Sequence, residues 1–483
     1  MDSNNAILAI SLLFSIWCDT CVAQSSNVYN VKEHGALGNG KNDDTKAFQA
    51  AWDVSCAVEG NPTILIPKGS YLVGPLFFKG PCKGVMAIDL RGQLLASTNL
   101  NAYTKNWVNF QYINGLVISG GGIFNGQGSS AWPYNKCPKK WSCKILPMSL
   151  VFSFVKNAKI KNISSVDSKL FHIHIFSSEN FDIESVTISA PGDSPNTDGI
   201  HVADSTNVTI TDATIGTGDD CISIGPGNSN LTISNVHCGP GHGISVGSLG
   251  KNSGETDVIG LTVRNCTLNG TTNGLRIKTW QSSPTLLKAA HFTYEDITMN
   301  NVFNPIIIDQ EYCPYVSCAK KDPSRVQIYD IKFTNVKGTS SSAEAIKFIC
   351  SSSFPCQGVI LNDIDLHYTG DARGNKTTTS TCANVQGKSN ENLPPACAHK
   401  RQRMPAVGFL AHSGFLRPPA VGDVRLRPLA GFCTRHRPLA GFCTRHRPPA
   451  GFCASRRPLA TSWLLAAVLA VPADCWRLVP RAT

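Results

Sequence analysis

The 483-residue sequence predicts an all-β protein wound as a parallel β-helix, and three observations lead there. Three segments are near-copies: Asn180-Phe-Asp-Ile-Glu-Ser-Val-Thr-Ile188, Asn207-Val-Thr-Ile-Thr-Asp-Ala-Thr-Ile215 and Asn230-Leu-Thr-Ile-Ser-Asn-Val-His-Cys238. Fainter copies begin at Asn157, Val258 and Val326, and the starts at 157, 180, 207 and 230 lie 23, 27 and 23 residues apart. Inside each copy apolar β-branched residues alternate with polar ones, and Gly, Asn, Asp and Ser separate the runs, which is strand periodicity punctuated by turns. One such unit cannot bury its apolar face alone, so successive copies stack on a shared core. An antiparallel sandwich, the competing all-β reading, has no self-similar unit of this length.

The elements follow in chain order. Residues 6–17 are apolar, and Cys21-Val22-Ala23 before Gln24 suits signal-peptidase cleavage after Ala23, although Asp2 stands where a basic residue is usual. Residues 1–23 are thus expected to be a secretory leader, too short to span a bilayer. Asp43-Asp44-Thr45 starts a helix whose Ala47, Phe48, Ala51 and Trp52 share a face, a cap for the first coil. The 24–398 segment contains 13 cysteines. Cys137/Cys143, Cys313/Cys318, Cys350/Cys356 and Cys382/Cys397 read as local clamps formed in an oxidising compartment, and Cys56 is expected to tie the helix to Cys82. Thirteen is odd, and Cys266, in an apolar run, is the candidate for a buried free thiol. Sequons at Asn162, Asn207, Asn230, Asn265, Asn269 and Asn375 agree with a secreted glycoprotein, Asn265 being the one expected too buried to modify.

Four clusters carry chemistry: Asn196-Thr197-Asp198-Gly199, Gly218-Asp219-Asp220-Cys221, Gly239-Pro240-Gly241-His242-Gly243 and Arg276-Ile277-Lys278. Asp198, Asp220 and His242 are 22 residues apart each time. Equal phase in a β-helix means one face with coils about 4.8 Å apart, so the three are expected in a column with Asp219 beside it. The longer step to Arg276 needs an insertion, assigned to the polar segment 251–257. Arg276 and Lys278, two apart on a strand, point the same way. Taken singly, each residue is more simply a turn former or a surface group. Together they stack like charges, which costs stability and raises at least one carboxyl pKa, so the shared phase argues for a catalytic cleft. Adjacent strand residues face opposite sides, so Asp219 and Asp220 both enter the cleft only where the backbone leaves regular geometry. Gly218 is expected to permit this, and a Cys221–Cys238 disulfide between coils to hold it.

In this order the clusters, read as Asn-Thr-Asp, Gly-Asp-Asp, Gly-His-Gly and Arg-Ile-Lys, resemble the polygalacturonases of glycoside hydrolase family 28. The opening Gly35-Ala36-Leu37-Gly38-Asn39-Gly40 with Asp43-Asp44-Thr45 is similar to that family's N-terminus. Ser223-Ile-Gly-Pro-Gly227 and the stretch 238–250 are similar to its plant pollen-type, exo-acting branch. The resemblance covers roughly residues 27–398. It implies a single-stranded right-handed β-helix of the pectin-lyase-like type. It also implies hydrolysis of α-1,4 bonds between galacturonic acids in pectin, with inversion and release from the non-reducing end. Inversion pairs a general acid on the leaving oxygen with a base on a water across the sugar. The family pattern makes Asp219 the acid, Asp198 and Asp220 the water-activating pair, and His242 their support. Arg276 and Lys278 become the clamp on a substrate carboxylate, for which a planar guanidinium is well suited. Asn196 and Tyr312 fall at substrate-binding positions. No metal and no cofactor is expected, since no carboxylate cluster is left over to cage calcium. An endo-acting hydrolase, a lyase on the same fold and a non-catalytic pectin-binding solenoid are the alternatives.

The formal charge of +11 suggests an acidic partner until it is divided. Residues 399–483 hold 14 Lys+Arg and two acids, leaving 30 bases against 31 acids elsewhere. The body is nearly neutral, so its charge implies neither nucleic acid nor a membrane; the partner that the resemblance implies is pectic polysaccharide, met by a secreted monomer in the cell wall. The tail repeats Gly431-Phe-Cys-Thr-Arg-His-Arg-Pro-Leu-Ala440 with near-copies at 441 and 451. A period of ten with Pro in every unit continues neither a coil nor a long helix, so the tail is read as disordered or as a gene-model artefact.

Overall fold

The computed structural model describes residues 27–135, 144–314, 318, 322–370 and 377–395. The leader, Cys137/Cys143, Asn375, Cys397 and the tail from 399 lie outside the described residues. Within them the chain winds as a parallel β-helix whose register reproduces the repeat. Ala158, Phe181, Val208 and Leu231 are consecutive partners, followed by Leu261, Phe292, Ile331 and Val359. The sequence repeat does not reveal several coils, including Leu287–Val302 and Cys356–Tyr368, because their corners pass to Gly, His and Asp and, in the first, Phe292 and Tyr294 replace the β-branched inward residues.

The Asn opening each repeat has a conformational reason. Asn157, Asn180, Asn207 and Asn230 all have φ between 54° and 56°, the left-handed region in which Asn is among the few tolerated side chains. In the next coil the corner passes to Gly260, then to His291, Asp330 and Gly358. A second corner, through Asn162, Ser185, Asp212, Asn235 and Asn265, follows the same rule. That corner corrects the expectation for Asn265. The left-handed kink turns its side chain outward and exposes it, while neighbouring Cys266 points inward as a buried free thiol. Between corners, pairs such as Phe181/Ile183 and Val208/Ile210 fill one continuous core.

The N-terminal helix, Thr45–Cys56, buries Ala47, Phe48, Ala51 and Trp52 as its spacing requires. Trp52 stacks on Phe78 of the first coil at 4.6 Å between ring centroids. Its start differs in one detail from the expectation: Asp43 accepts the Thr45 amide at 2.9 Å, whereas Asp44 turns back to the amides of Leu37 and Gly38. Cys56–Cys82, Cys221–Cys238, Cys313–Cys318 and Cys350–Cys356 are disulfides. The sheet that carries the site runs through the strands Leu150–Ser153, Ile173–Phe176, Ile200–Ala203, Ile222–Ile224, Ile244–Leu249, Asn273–Trp280 and Asn304–Tyr312.

Candidate active site

The acids stand just before these strands. Ile200 pairs with Ile222 and Ile222 with Ile244, so Asp198, Asp220 and His242 occupy one phase on consecutive coils, as their spacing requires. Residues 217–221 form a bend rather than a strand, which frees Asp219 and Asp220 from opposite facing. Gly218 is needed there for space rather than for an unusual φ: a Cβ would lie 2.0 Å from the Ser194 carbonyl oxygen. The bend is pinned by the Thr197 hydroxyl, which accepts the Gly218 amide at 3.0 Å, and by the Cys221–Cys238 bridge.

The side chains depart from a simple column. His242 does not sit over Asp220; its Nδ1 lies 2.9 Å from Asp219 Oδ1 and its amide donates to the Asp219 carbonyl at 2.8 Å. Asn196 donates to the other Asp219 oxygen at 3.3 Å and accepts from Asn135 at 3.1 Å. Asp220 is 1% exposed and fully engaged. Arg276 and Ser245 reach its Oδ1 at 2.6 and 2.8 Å, and Lys278 reaches Oδ2 at 2.9 Å. Asp198 is 6% exposed and accepts from the Ser223 hydroxyl at 2.7 Å. The segment 251–257 supplies the insertion before Arg276, whose partner in the register is Ser245.

These surroundings separate the carboxyls. Burial, then repulsion from Asp219 and Asp220, raises the Asp198 pKa well above the ordinary carboxylate range. Burial also pushes Asp220 up, but Arg276, then Lys278 and His242, outweigh it and hold Asp220 well below that range. The expected stack of like charges is thus resolved by cations from two coils further on, and Arg276 and Lys278 are first of all the counter-ions of Asp220. Tyr312 lies half-buried beside them, with the Lys278 ammonium 5.5 Å from its ring centre. Asp219, Asp220 and His242 bring donor atoms within 4.8 Å of one another. A divalent ion fits poorly there, because two fixed cations already occupy both oxygens of Asp220 and would repel it.

The sequence alone does not single out His174, His201, Ser223 and Ser245. All four are buried, and they occupy successive places in one outward-facing register ending at Arg276. Counting 22 residues forward from His201 would have found Ser223 and then Ser245.

The chain is similar to known proteins over most of its described length. The family model of glycosyl hydrolases family 28 matches residues 56–393. An exopolygalacturonase of Zea mays is 47% identical over 363 residues, covering 75% of this chain and 88% of the relative. An exopolygalacturonase of Platanus acerifolia is 46% identical over 377 residues, covering 78% and 98%. A polygalacturonase of Gossypium hirsutum is 44% identical over 393 residues, covering 81% and 95%. Among solved structures, the polygalacturonase of Erwinia carotovora ssp. carotovora superposes with a TM-score of 0.58 at 25% identity, covering 74% of this chain and 96% of that one.

Proposed function

The chain belongs to glycosyl hydrolases family 28, and from that premise we propose that it hydrolyses α-1,4-galacturonosidic bonds of polygalacturonate with inversion. The observation that carries the reading is one cluster holding three carboxyl groups in three different settings. Asp219, joined to His242 and Asn196, gives its proton to the leaving glycosidic oxygen as the bond to the anomeric carbon breaks. A water attacks that carbon from the opposite side and loses its proton to Asp198. Lifted by burial, Asp198 is the stronger base of the water-side pair. Asp220, kept anionic, orients the water and holds Arg276 and Lys278 in place. The remaining ammonium and guanidinium protons take the carboxylate of the sugar on the leaving side, with Tyr312 beside it.

Release of single units from the non-reducing end is the favoured mode. With the cations on the leaving-group side, the sugar that is cut off lies toward Asn196 and the earlier coils. There residues 126–135, which follow the strand Ile123–Asn125, reach the site through Asn135. Later coils span the same position with short bends such as 217–221. The similarity to the exopolygalacturonases of Zea mays and Platanus acerifolia supports the same mode. The disulfides suit an oxidising exterior, and the expected setting is the cell wall, as a secreted monomer.

Product analysis on polygalacturonate tests the reading. Galacturonate alone is expected. A mixture of oligomers would require endo action, and an ultraviolet-absorbing unsaturated uronide would require a lyase. Asp219→Asn should lower kcat by at least about 10³-fold with the fold intact; near-normal turnover would sink the assignment.

A further inference from the structure

Two serines treat two of the site's carboxylates in the same way and draw on opposite partners. Ser223 Oγ donates to Asp198 at 2.7 Å and Ser245 Oγ donates to Asp220 at 2.8 Å, each reaching back 25 residues to the preceding coil. The two serines are neighbours in the register. Behind Ser245 stands a cation, with Arg276 Nε donating to its oxygen at 2.9 Å. Behind Ser223 stands an imidazole, with His201 Nδ1 2.7 Å from its oxygen. A hydroxyl has one hydrogen, and that of Ser223 is used on Asp198. His201 must therefore donate, which fixes the Nδ1–H tautomer. Burial, then the proximity of His174 and Lys278, holds His201 neutral.

We infer that Ser223 and His201 form a positioning pair for Asp198: a hydrogen-bond relay that aims the carboxylate at the attacking water without neutralising it. The inference rests on the reading of Asp198 as the base. The counterpart at Asp220 explains why two networks are needed. Its serine is coupled to a guanidinium, and Lys278 takes the other oxygen, so Asp220 remains an anion that binds protons weakly. A base must keep its affinity for a proton, so its orientation has to come from neutral donors. His201 supplies this by holding the Ser223 hydroxyl in one rotamer. The charged groups that act on Asp198 are Asp219 and Asp220 from the next coil and Lys278 beyond them, while His201, behind Ser223, has His174, Lys278 and Asp220 about it.

The test compares Ser223→Ala, Ser223→Thr, His201→Phe and the double variant Ser223→Ala/His201→Phe on polygalacturonate across pH. Ser223→Ala should lose about tenfold in kcat, the size of one hydrogen bond's net contribution, with KM unchanged. Its acid limb should move to higher pH, because the lost donation favoured the ionised carboxylate. Ser223→Thr should restore both. His201→Phe should lose part of the activity and add nothing to Ser223→Ala. Unchanged kcat and pH limb in Ser223→Ala, no rescue by Thr, or additive losses would overturn the relay. If Ser223→Ala does not fold, Ser223→Cys, with the same shape and a weak donor, takes its place with the same expectations. Asp198→Asn separates the two levels. Activity surviving that change defeats the reading of Asp198 as base, whereas its loss beside a normal Ser223→Ala defeats only the relay.

Discussion

Two ladders run across the coils of this molecule, and their difference is instructive. On one corner Asn157, Asn180, Asn207 and Asn230 each donate to the amide oxygen one coil back, at 2.7–3.0 Å, beginning from Asn114. At the edge that carries the acids the same winding places Asp198 and Asp220 on successive coils. An amide has a donor and an acceptor, so a column of identical amides satisfies itself. A carboxylate only accepts, and a column of carboxylates repels itself in low dielectric. The first column is therefore exposed and chemically quiet. The second persists only because Ser223, Ser245, Arg276 and Lys278 enter from later coils, and that asymmetry separates the acids into different protonation settings.

The comparison breaks most sharply at Lys278. Lys278→Met removes one of the two cations from a buried anion, and breaking such a pair costs up to about 3–5 kcal/mol. A large fall in Tm and about 100-fold or more in kcat are expected. Adding Asp220→Asn should recover stability, because the stranded charge is gone, but not activity. Recovery of both would show that Asp220 serves only to hold the cation.

Acid should distinguish the two ladders next. The amides do not titrate, whereas the site-bearing sheet buries histidines whose pKa burial lowers, His172 to about 3 and His174 to about 4. Each folded ring refuses a proton that the unfolded chain accepts below about pH 6.5. The stability from these neutral rings is therefore complete above that pH and is lost as pH falls toward 3–4, at about 1.4 kcal/mol per pH unit and ring. The depressed Asp220 adds stability that is likewise lost, though only below about pH 4, while the raised Asp198 works in the opposite direction. Tm should fall between pH 6.5 and 4, and His174→Gln should flatten the slope. An unchanged slope would show that the buried ring does not govern it.

The smallest effect belongs to the amide ladder. Asn207→Ala gives up one exposed amide pair on each side and a residue suited to left-handed φ, about 1–2 kcal/mol, with kcat and KM unchanged. Asn207→Gly should lose less, since glycine accepts that φ freely. If Gly were as damaging as Ala, the side-chain ladder would contribute more to stability than the corner conformation does.

Much of this was legible from residues alone, and unevenly. The corner Asn and alternating apolar residues revealed the winding because each coil must satisfy the same two constraints, a left-handed turn and an inward face. The shared phase of Asp198, Asp220 and His242 followed from counting. The serines behind the acids escaped notice because a lone Ser in a β-rich run looks like any other strand residue. Their meaning depends on what stands one coil away, and so does the turn of His242 toward Asp219 rather than along the column.

By itself the sequence determined the repeat, the parallel stack, the face that carries the acids and the family those acids belong to, because all of these are written in spacing. Only the tertiary structure decided which acid is paired with cations, which receives neutral donors, and that Asn135 touches the site. Those are matters of distance between coils, where about 1 Å decides whether a hydroxyl bonds a carboxylate. Residue spacing along the chain sets the coil and the face but not that last ångström.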